Sequence, residues 1–365
     1  MPIIHIINNL EIGGAEKQLI KLIRNDKERN HIVFNLIGNN LFEEIFNKNN
    51  LIEIKFSFKS RNPLTLFKNF IKFYKLIYFY KPKILIFWLY HSFLFSIPII
   101  FFLKNIKIYW NIRQIIPNFK FEKKSTKFIF YFCKLFSKYP HGLIFNSLES
   151  LEMHKKNNFT NNNTIYIPNG FQINKTVSDF KDKDFESKIH NKKVISLIAR
   201  YHPSKGHLLF IKSASNLLKK NNKLLFLIIG KNVNKQKEIL SLLQKINNKD
   251  NYCIYDETNN VDYYLQKTDI LVNCSNSSEG FPNIIGEAIS NDCLCISSGI
   301  GEAKRILNYN NFFLFEYNQK YLENKILNIL NTNNNELYKF KSDLKKDFFE
   351  KFSITKMIDR YNKIY

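Results

Sequence analysis

Short apolar runs alternate with longer stretches of helical period along nearly the whole chain. In the first half the runs fall at residues 3–7, 32–37, 54–58, 84–90, 106–112, 142–145 and 164–167. Most are almost continuously apolar, as strands covered on both faces are, and the intervening stretches are long enough to hold the helices that parallel strands require. Residues 171–192 lose this pattern and turn polar, which predicts a linker. The alternation then restarts at 194–199, 224–229, 252–255, 270–274, 294–297 and 312–315. The pattern predicts an α/β protein of two doubly wound, Rossmann-like domains, 1–170 and 193–345, followed by a C-terminal helical segment, 346–365. Ligands of such sheets gather beyond the carboxyl ends of the strands, so the cleft between the domains is the expected site.

At roughly 150 residues per domain, 365 residues agree with two domains. With 45% apolar and 24% charged residues, global disorder is excluded. The charge adds a partner class: 55 Lys and Arg against 31 Asp and Glu give +24, which points to nucleic acid, a membrane surface or a phosphorylated substrate. Residues 1–170 hold 25 basic and 10 acidic residues, or +15, leaving +9 for the remainder.

The five cysteines, Cys133, Cys253, Cys274, Cys293 and Cys295, lie in apolar runs without other ligands near them, and read as buried reduced thiols. The opening MPIIHIINNL lacks the features of a secretory signal, which leads to the expectation of a cytoplasmic protein. Residues 84–103 are 20 positions without a formal charge, the length of a membrane span. Strand and helix alternate on both sides of them, which favours a buried strand and then a buried helix from Ser92.

The strongest chemical pattern is Ser278-Glu279-Gly280-Phe281-Pro282-Asn283-Ile284-Ile285-Gly286-Glu287-Ala288. It follows the run ending at Cys274, and a helix is predicted from Asn283 with Pro282 near its first turn. Backbone N–H groups between Gly280 and Ile284 then suit an anionic or hydroxyl-rich ligand. Glu279 precedes the turn and Glu287 lies inside the helix, so both carboxylates can accept hydroxyls of one bound molecule. The spacing alone equally fits a capped helix with two solvated glutamates.

The EGFPNIIGEA pattern, with seven residues between Glu279 and Glu287, resembles the signature of retaining glycosyltransferases of family 4, which have the two-domain GT-B fold. Residues 198–206, with Arg200 and Lys205, resemble the first strand and loop of that family's donor domain. Asp262-Tyr263-Tyr264-Leu265 and Asp269-Ile270-Leu271-Val272 resemble the stretch before its glutamate motif. Phe352-Ser353-Ile354-Thr355-Lys356-Met357 with Tyr361 resembles its last helix, which in that fold returns to the first domain. The resemblance implies that Glu287 accepts the ribose hydroxyls of a nucleotide-sugar donor, taken as a UDP-sugar, and that Glu279 holds the transferred sugar. Arg200 and Lys205 clamp the diphosphate, and Gly280, Phe281, Pro282, Asn283 and Ile284 complete the donor site. A guanidinium fork and an ammonium point charge suit the charge that a departing diphosphate develops. The resemblance also implies retention of configuration with no metal and no other cofactor. Gly286, inside the helix, costs helix stability and is expected to admit the ribose closely.

Gly13 and Gly14 follow the first strand and open a helix, where backbone can approach a phosphate or sugar. The spacing is not a dinucleotide fingerprint, but in the resembled family such a pair lies against the donor diphosphate and the acceptor. His91, Asn111 and Arg113 sit at predicted strand ends, in segments resembling members that act on polysaccharide precursors. His91 is expected to hydrogen-bond the sugar or the acceptor, with Asn111 beside it, and Arg113 to bind an acceptor phosphate. Asn146, Ser147 and Pro168-Asn169-Gly170 read as turn residues near the cleft. Two lysine stripes, Lys68, Lys72, Lys75 and Lys120, Lys124, Lys127, Lys134, Lys138, recur at helical spacing among phenylalanines, and suit an anionic lipid surface.

The expectation is therefore a cytoplasmic, peripheral membrane glycosyltransferase acting on a glycan hydroxyl, with a lipid-linked acceptor, in surface polysaccharide or glycoconjugate synthesis. Rivals are a nucleotide-sugar epimerase or a glycan phosphorylase on the same fold. A basic nucleic-acid-binding protein is disfavoured, because most aromatics sit in apolar runs rather than among exposed Lys and Arg.

Overall fold

The computed structural model describes residues 2–11, 13–48, 51–116, 119, 124–174, 179–244, 249–277 and 279–365. The chain divides into two compact units, Met1–Gly170 with Ile354–Tyr365, and Phe171–Ser353.

The first unit runs β1 (Ile3–Ile7), α1 (Gly14–Asn25), β2 (His31–Asn35), α2 (Glu43–Lys48), β3 (Ile52–Lys55), α3 (Pro63–Tyr80), β4 (Ile84–Trp88), α4 (Tyr90–Phe93), α5 (Ser96–Phe102), β5 (Lys107–Ile112), α6 (Lys124–Phe136), β6 (Gly142–Phe145), α7 (Leu148–Lys156) and β7 (Thr164–Tyr166). The strands form one parallel sheet in the order β3-β2-β1-β4-β5-β6-β7. Successive residues face opposite sides, so Leu85 and Phe87 of β4 join an apolar layer under α3, α5 and α6. Ile84, Ile86 and Trp88 join a second layer, under α1 and the C-terminal helix. Helix α3 starts where the Asn62 side chain accepts from the Leu64 N–H at 2.9 Å, with Pro63 in its first turn. It ends at Lys81, in the left-handed region, before Pro82.

The uncharged stretch 84–103 folds as β4, α4 and α5, and no described helix is long and apolar enough to cross a membrane. Its polar side chains are satisfied inside the protein. Ser92 Oγ donates to the Trp88 carbonyl at 2.8 Å, and Ser96 Oγ accepts from Trp110 Nε1 at 2.8 Å.

The second unit runs α8 (Lys183–Ile189), β8 (Lys193–Ile198), α9 (His207–Lys220), β9 (Leu224–Ile229), α10 (Lys237–Gln244), β10 (Tyr252–Tyr255), α11 (Val261–Gln266), β11 (Ile270–Asn273), α12 (Asn283–Ser290), β12 (Leu294–Ser297), α13 (Ala303–Ile306), α14 (Gln319–Asn331) and α15 (Asn334–Phe352). Its parallel sheet has the order β10-β9-β8-β11-β12. The final helix, α16 (Ile354–Asn362), belongs to the first unit, and Ser353 is extended between α15 and α16.

Three boundaries differ from the sequence expectation. Residues 312–315 form no strand but a single bridge, Ser297 with Leu314, because Asn310 folds the chain into a turn and Phe312 stacks on Phe340 at 4.1 Å. Residues 171–192 are no free linker: they contain α8, whose Phe185 is fully buried, and Tyr264 Oη donates to Asp182 at 2.9 Å. Part of that stretch, 175–178, lies outside the described residues. The terminal segment is two helices rather than one. All five cysteines are buried free thiols.

Candidate functional site

In the second sheet β8 and β11 are neighbours, yet the chain leaves β8 towards β9 and leaves β11 towards β12. Their loops therefore part at this point, the place where a doubly wound sheet opens a crevice. Both loops are pinned by close backbone packing. Gly206 has φ +69°, and a Cβ on it would collide with the Cys274 carbonyl. The Asn276 N–H donates to the Ser204 carbonyl at 2.9 Å, tying the two loops together. Upstream of Lys205, His202 Nδ1 accepts from the Ser204 N–H at 3.2 Å and caps the short turn Pro203–Lys205.

This packing brings Lys205 onto Glu279. The Lys205 ammonium makes an ion pair with Glu279 Oε2, with 18% and 11% of the two side chains exposed, and Ser275 Oγ donates to the same oxygen at 2.6 Å. A third loop, after β12, braces the glutamate turn. Gly301, at φ +67°, lies where any Cβ would strike the Glu279 carbonyl, and the Glu302 N–H donates to the Gly280 carbonyl at 3.0 Å. Ser278 lies outside the described residues.

Helix α12 begins at Asn283 as expected, with Pro282 as its cap residue. Its start supplies N–H donors and the positive end of a helix dipole beside Glu279. Glu287 stands one turn on from Asn283, half-buried. Arg200 opens the loop that ends at Lys205 and is exposed, outside the Lys205–Glu279 contact. Phe281 is not a ligand-facing side chain: it is buried between Phe171 and Phe352, at ring distances of 5.9 and 5.5 Å. Gly286 also takes a different role from the one expected. A Cβ there would meet the Phe171 ring at 2.5 Å, so the glycine makes room for the first residue of this unit rather than for a ribose.

The first sheet reverses between β1 and β4, which puts the loops carrying Gly13–Gly14 and His91 side by side within that unit. Gly13 caps α1 and Gly14 opens it, while Ile12 lies outside the described residues. The Glu16 carboxylate folds back over Gly13, where a Cβ would collide with it, and burial raises its pKa above the ordinary carboxylate range. His91 is exposed on α4, and partial desolvation lowers its pKa. Leu89, two residues earlier, has φ +67° and ψ 154°, a conformation that costs a non-glycine residue about 1–3 kcal/mol. Ser92 Oγ, 2.9 Å from the Leu89 carbonyl, helps to hold this bend.

Two residues expected to contact the acceptor lie inside the first unit. Asn111 is fully buried and its amide donates to the Tyr361 hydroxyl at 2.7 Å, so it docks α16 on β5. Arg113 is 8% exposed. It donates to the Ile167 carbonyl at 3.3 Å and to the Asn169 side chain, and lies 5.3 Å from the Trp88 ring centre. Both side chains are committed to the interior of their unit. Asn146 donates to the Arg113 carbonyl at 3.3 Å, and Gly170 leaves room for Met357 of α16.

Two features went unseen in the sequence. Ser275 carried no signal beyond its place in the polar run before the glutamate motif. The other is a buried chain in the first unit. Trp88 Nε1 donates to His5 Nδ1 at 3.2 Å, so His5 Nε2 carries the proton and donates to His31 Nδ1 at 2.9 Å, and His31 Nε2 donates to Asp26 at 3.0 Å. Burial keeps His5 neutral, its pKa well below the usual histidine range.

Residues 179–346 match the sequence model of the family described as glycosyl transferases group 1. A search of curated proteins by sequence returns no match. Among solved structures, the Anabaena Alr3699/HepE protein in complex with UDP and glucose is similar at 16% identity and TM-score 0.84, over 100% of this chain and 99% of that one. A glycosyltransferase from Rickettsia africae ESF-5 is similar at 18% identity and TM-score 0.75, over 100% and 97%. The sucrose-phosphate synthase of Thermosynechococcus elongatus is similar at 12% identity and TM-score 0.78, over 100% and 98%. The fold, two parallel-sheet Rossmann-like domains, is that of GT-B glycosyltransferase structures.

Proposed function

We propose that this protein is a retaining glycosyltransferase that moves a sugar from a UDP-sugar to a hydroxyl of a glycan. The observation that carries the reading is the Lys205–Ser275–Glu279 cluster at the reversal point of the second sheet, inside the segment that matches glycosyl transferases group 1. Similar folds crystallised with UDP and with UDP-glucose support the choice of donor.

Glu287 accepts the ribose hydroxyls. The donor diphosphate takes Lys205 from Glu279, and Arg200 and the start of α12 share its charge. Glu279, released from the ammonium, accepts hydroxyls of the transferred sugar. The bond from the anomeric carbon to the phosphate oxygen breaks, and the acceptor oxygen bonds to the same face of that carbon. The acceptor proton passes to the departing phosphate, so that UDP leaves. Protein cations and N–H dipoles stabilise the leaving group without a metal. On the first unit, Gly13 and Gly14 offer backbone to a phosphate or a sugar, and His91 offers a hydrogen bond to a hydroxyl. The acceptor is a lipid-linked glycan of surface polysaccharide or glycoconjugate synthesis, and the enzyme works on the inner face of the cell membrane.

The test is a panel of nucleotide-sugars scored by thermal unfolding, followed by transfer assays. A ligand at 100 times its dissociation constant stabilises by about 2.7 kcal/mol. UDP and one UDP-sugar are expected to stabilise the protein, and Glu287→Ala to abolish most of that gain. No stabilisation by any nucleotide-sugar would reject the reading.

A further inference from the structure

The helices α3, α5 and α6 lead into β4, β5 and β6, three adjacent parallel strands, so their carboxyl ends arrive side by side at the amino-terminal edge of the first sheet. That edge is unusually apolar for a surface. Tyr78 and Phe79 at the end of α3 are 73% exposed, Phe102 at the end of α5 is 83% exposed, and Leu135 of α6 is 68% exposed. Phe101 of α5 also packs on Tyr139, which follows α6, at 5.1 Å. Lysines flank this edge: Lys81, Lys83, Lys104, Lys107 and Lys138 are all exposed, and Lys138 lies 4.9 Å from the Tyr139 ring centre. Between residues 54 and 141 the sequence holds 17 Lys and Arg and a single acid, Glu122.

We propose that this edge docks on an anionic lipid bilayer, with Tyr78, Phe79, Phe101, Phe102 and Tyr139 seated at headgroup level and the flanking lysines on lipid phosphates. This deepens the membrane-side reading above and rests on it. The lysine stripes along α3 and α6 predict contact through helix sides, whereas this edge engages through helix ends. Lysines at helix ends also complement the helix dipole, but that role leaves exposed rings unexplained. Aromatics amid lysines match the composition of interfacial protein surfaces. A second copy of this edge is an unsuitable partner, since it brings the same positive charge against itself. Nucleic acid is disfavoured too, because Leu135 and the crowded ring pair offer no row of separate faces for stacked bases.

The full chain is tested by co-sedimentation with vesicles of phosphatidylcholine, with and without phosphatidylglycerol. Binding is expected only to the anionic vesicles. Phe79→Ser with Phe102→Ser should weaken it at least about tenfold, and Lys83→Gln, Lys104→Gln and Lys107→Gln together by about a hundredfold, each lysine being worth roughly fivefold. The stripe variant Lys68→Gln, Lys72→Gln, Lys75→Gln should lose less than either. The proposal is overturned if the protein ignores anionic vesicles, if it binds neutral ones equally, or if both edge variants bind like the parent. It is equally overturned if the edge variants instead abolish a dimer or RNA binding with no vesicle effect. UDP-induced stabilisation, measured on the same proteins, tests the donor site alone, so failure of one reading is separable from failure of the other.

Discussion

Glu279→Gln keeps the shape of the side chain and removes its charge, which separates what the Lys205 contact does in the free protein from what it does with a donor bound. At an effective dielectric of about 20, a contact ion pair attracts by roughly 4 kcal/mol. Desolvation of both groups cancels much of that. With 18% and 11% of the two side chains exposed, the pair lies between the surface and buried limits. A net loss of about 1–2 kcal/mol is expected in the ligand-free variant. At about 2–4 °C per kcal/mol this is readable by calorimetry. The bound state should behave in the opposite sense. On the proposed reading a diphosphate replaces Glu279 as the partner of Lys205, so the variant has no ion pair to break, and UDP should bind as well as before or up to about tenfold more tightly, a gain of up to about 1.4 kcal/mol. Turnover should fall by about 10²–10³, the usual cost of losing one preorganised transition-state contact. Titration calorimetry with UDP and a transfer assay complete the measurement. A variant that loses UDP affinity in step with its stability refutes the exchange of partners at Lys205.

Gly206→Ala should destabilise the second unit by about 2 kcal/mol or more and lower donor affinity, because the left-handed backbone and the Cys274 carbonyl both reject a Cβ; an unchanged unfolding midpoint would contradict this. Phe185→Ala should cost about 3–5 kcal/mol, since the ring is fully buried; a loss under about 1 kcal/mol would restore the linker reading of residues 171–192. Buried His154 and His207 have folded-state pKa values lowered to about 4, so each remains neutral while the unfolded chain takes up its proton. Stability should therefore be fully present above about pH 6.5 and fall progressively as the pH drops towards 4. His207→Gln should make that slope shallower by about one proton, read from urea midpoints across the range, and an identical slope in the variant would be the contrary result.

Eleven of the thirteen predicted runs start and stop within two residues of the strands, the exceptions being 54–58 and 312–315, and the site motif fell on the loop and helix assigned to it, for one physical reason. Short apolar runs separated by stretches of helical period fit strands of a sheet covered on both faces, and this makes the parallel topology and the carboxyl-end loops legible from the chain alone. Lys205, Glu279 and Glu287 were readable because the loop after β8 and the turn before α12 carry their chemistry locally. What escaped was set by contacts across long sequence separations. Asn111 and Arg113 carry polar groups at a strand end, as ligand-binding residues do, but Tyr361 and Asn169 claim them from inside the unit. Residues 171–192 are polar enough to read as linker, yet one buried phenylalanine and an aspartate held by a distant tyrosine fix them.

The sequence by itself determined two α/β halves, most of the strand runs and the acidic and basic groups of the loops after β8 and β11, since these follow from periodicity and local composition. Only the tertiary structure decided that Lys205 is already neutralised by Glu279, that Gly286 faces a phenylalanine ring, and that exposed apolar side chains at the ends of three helices arrive at one sheet edge. Burial and charge pairing belong to groups brought together from distant parts of the chain, and no local pattern records which of them will meet.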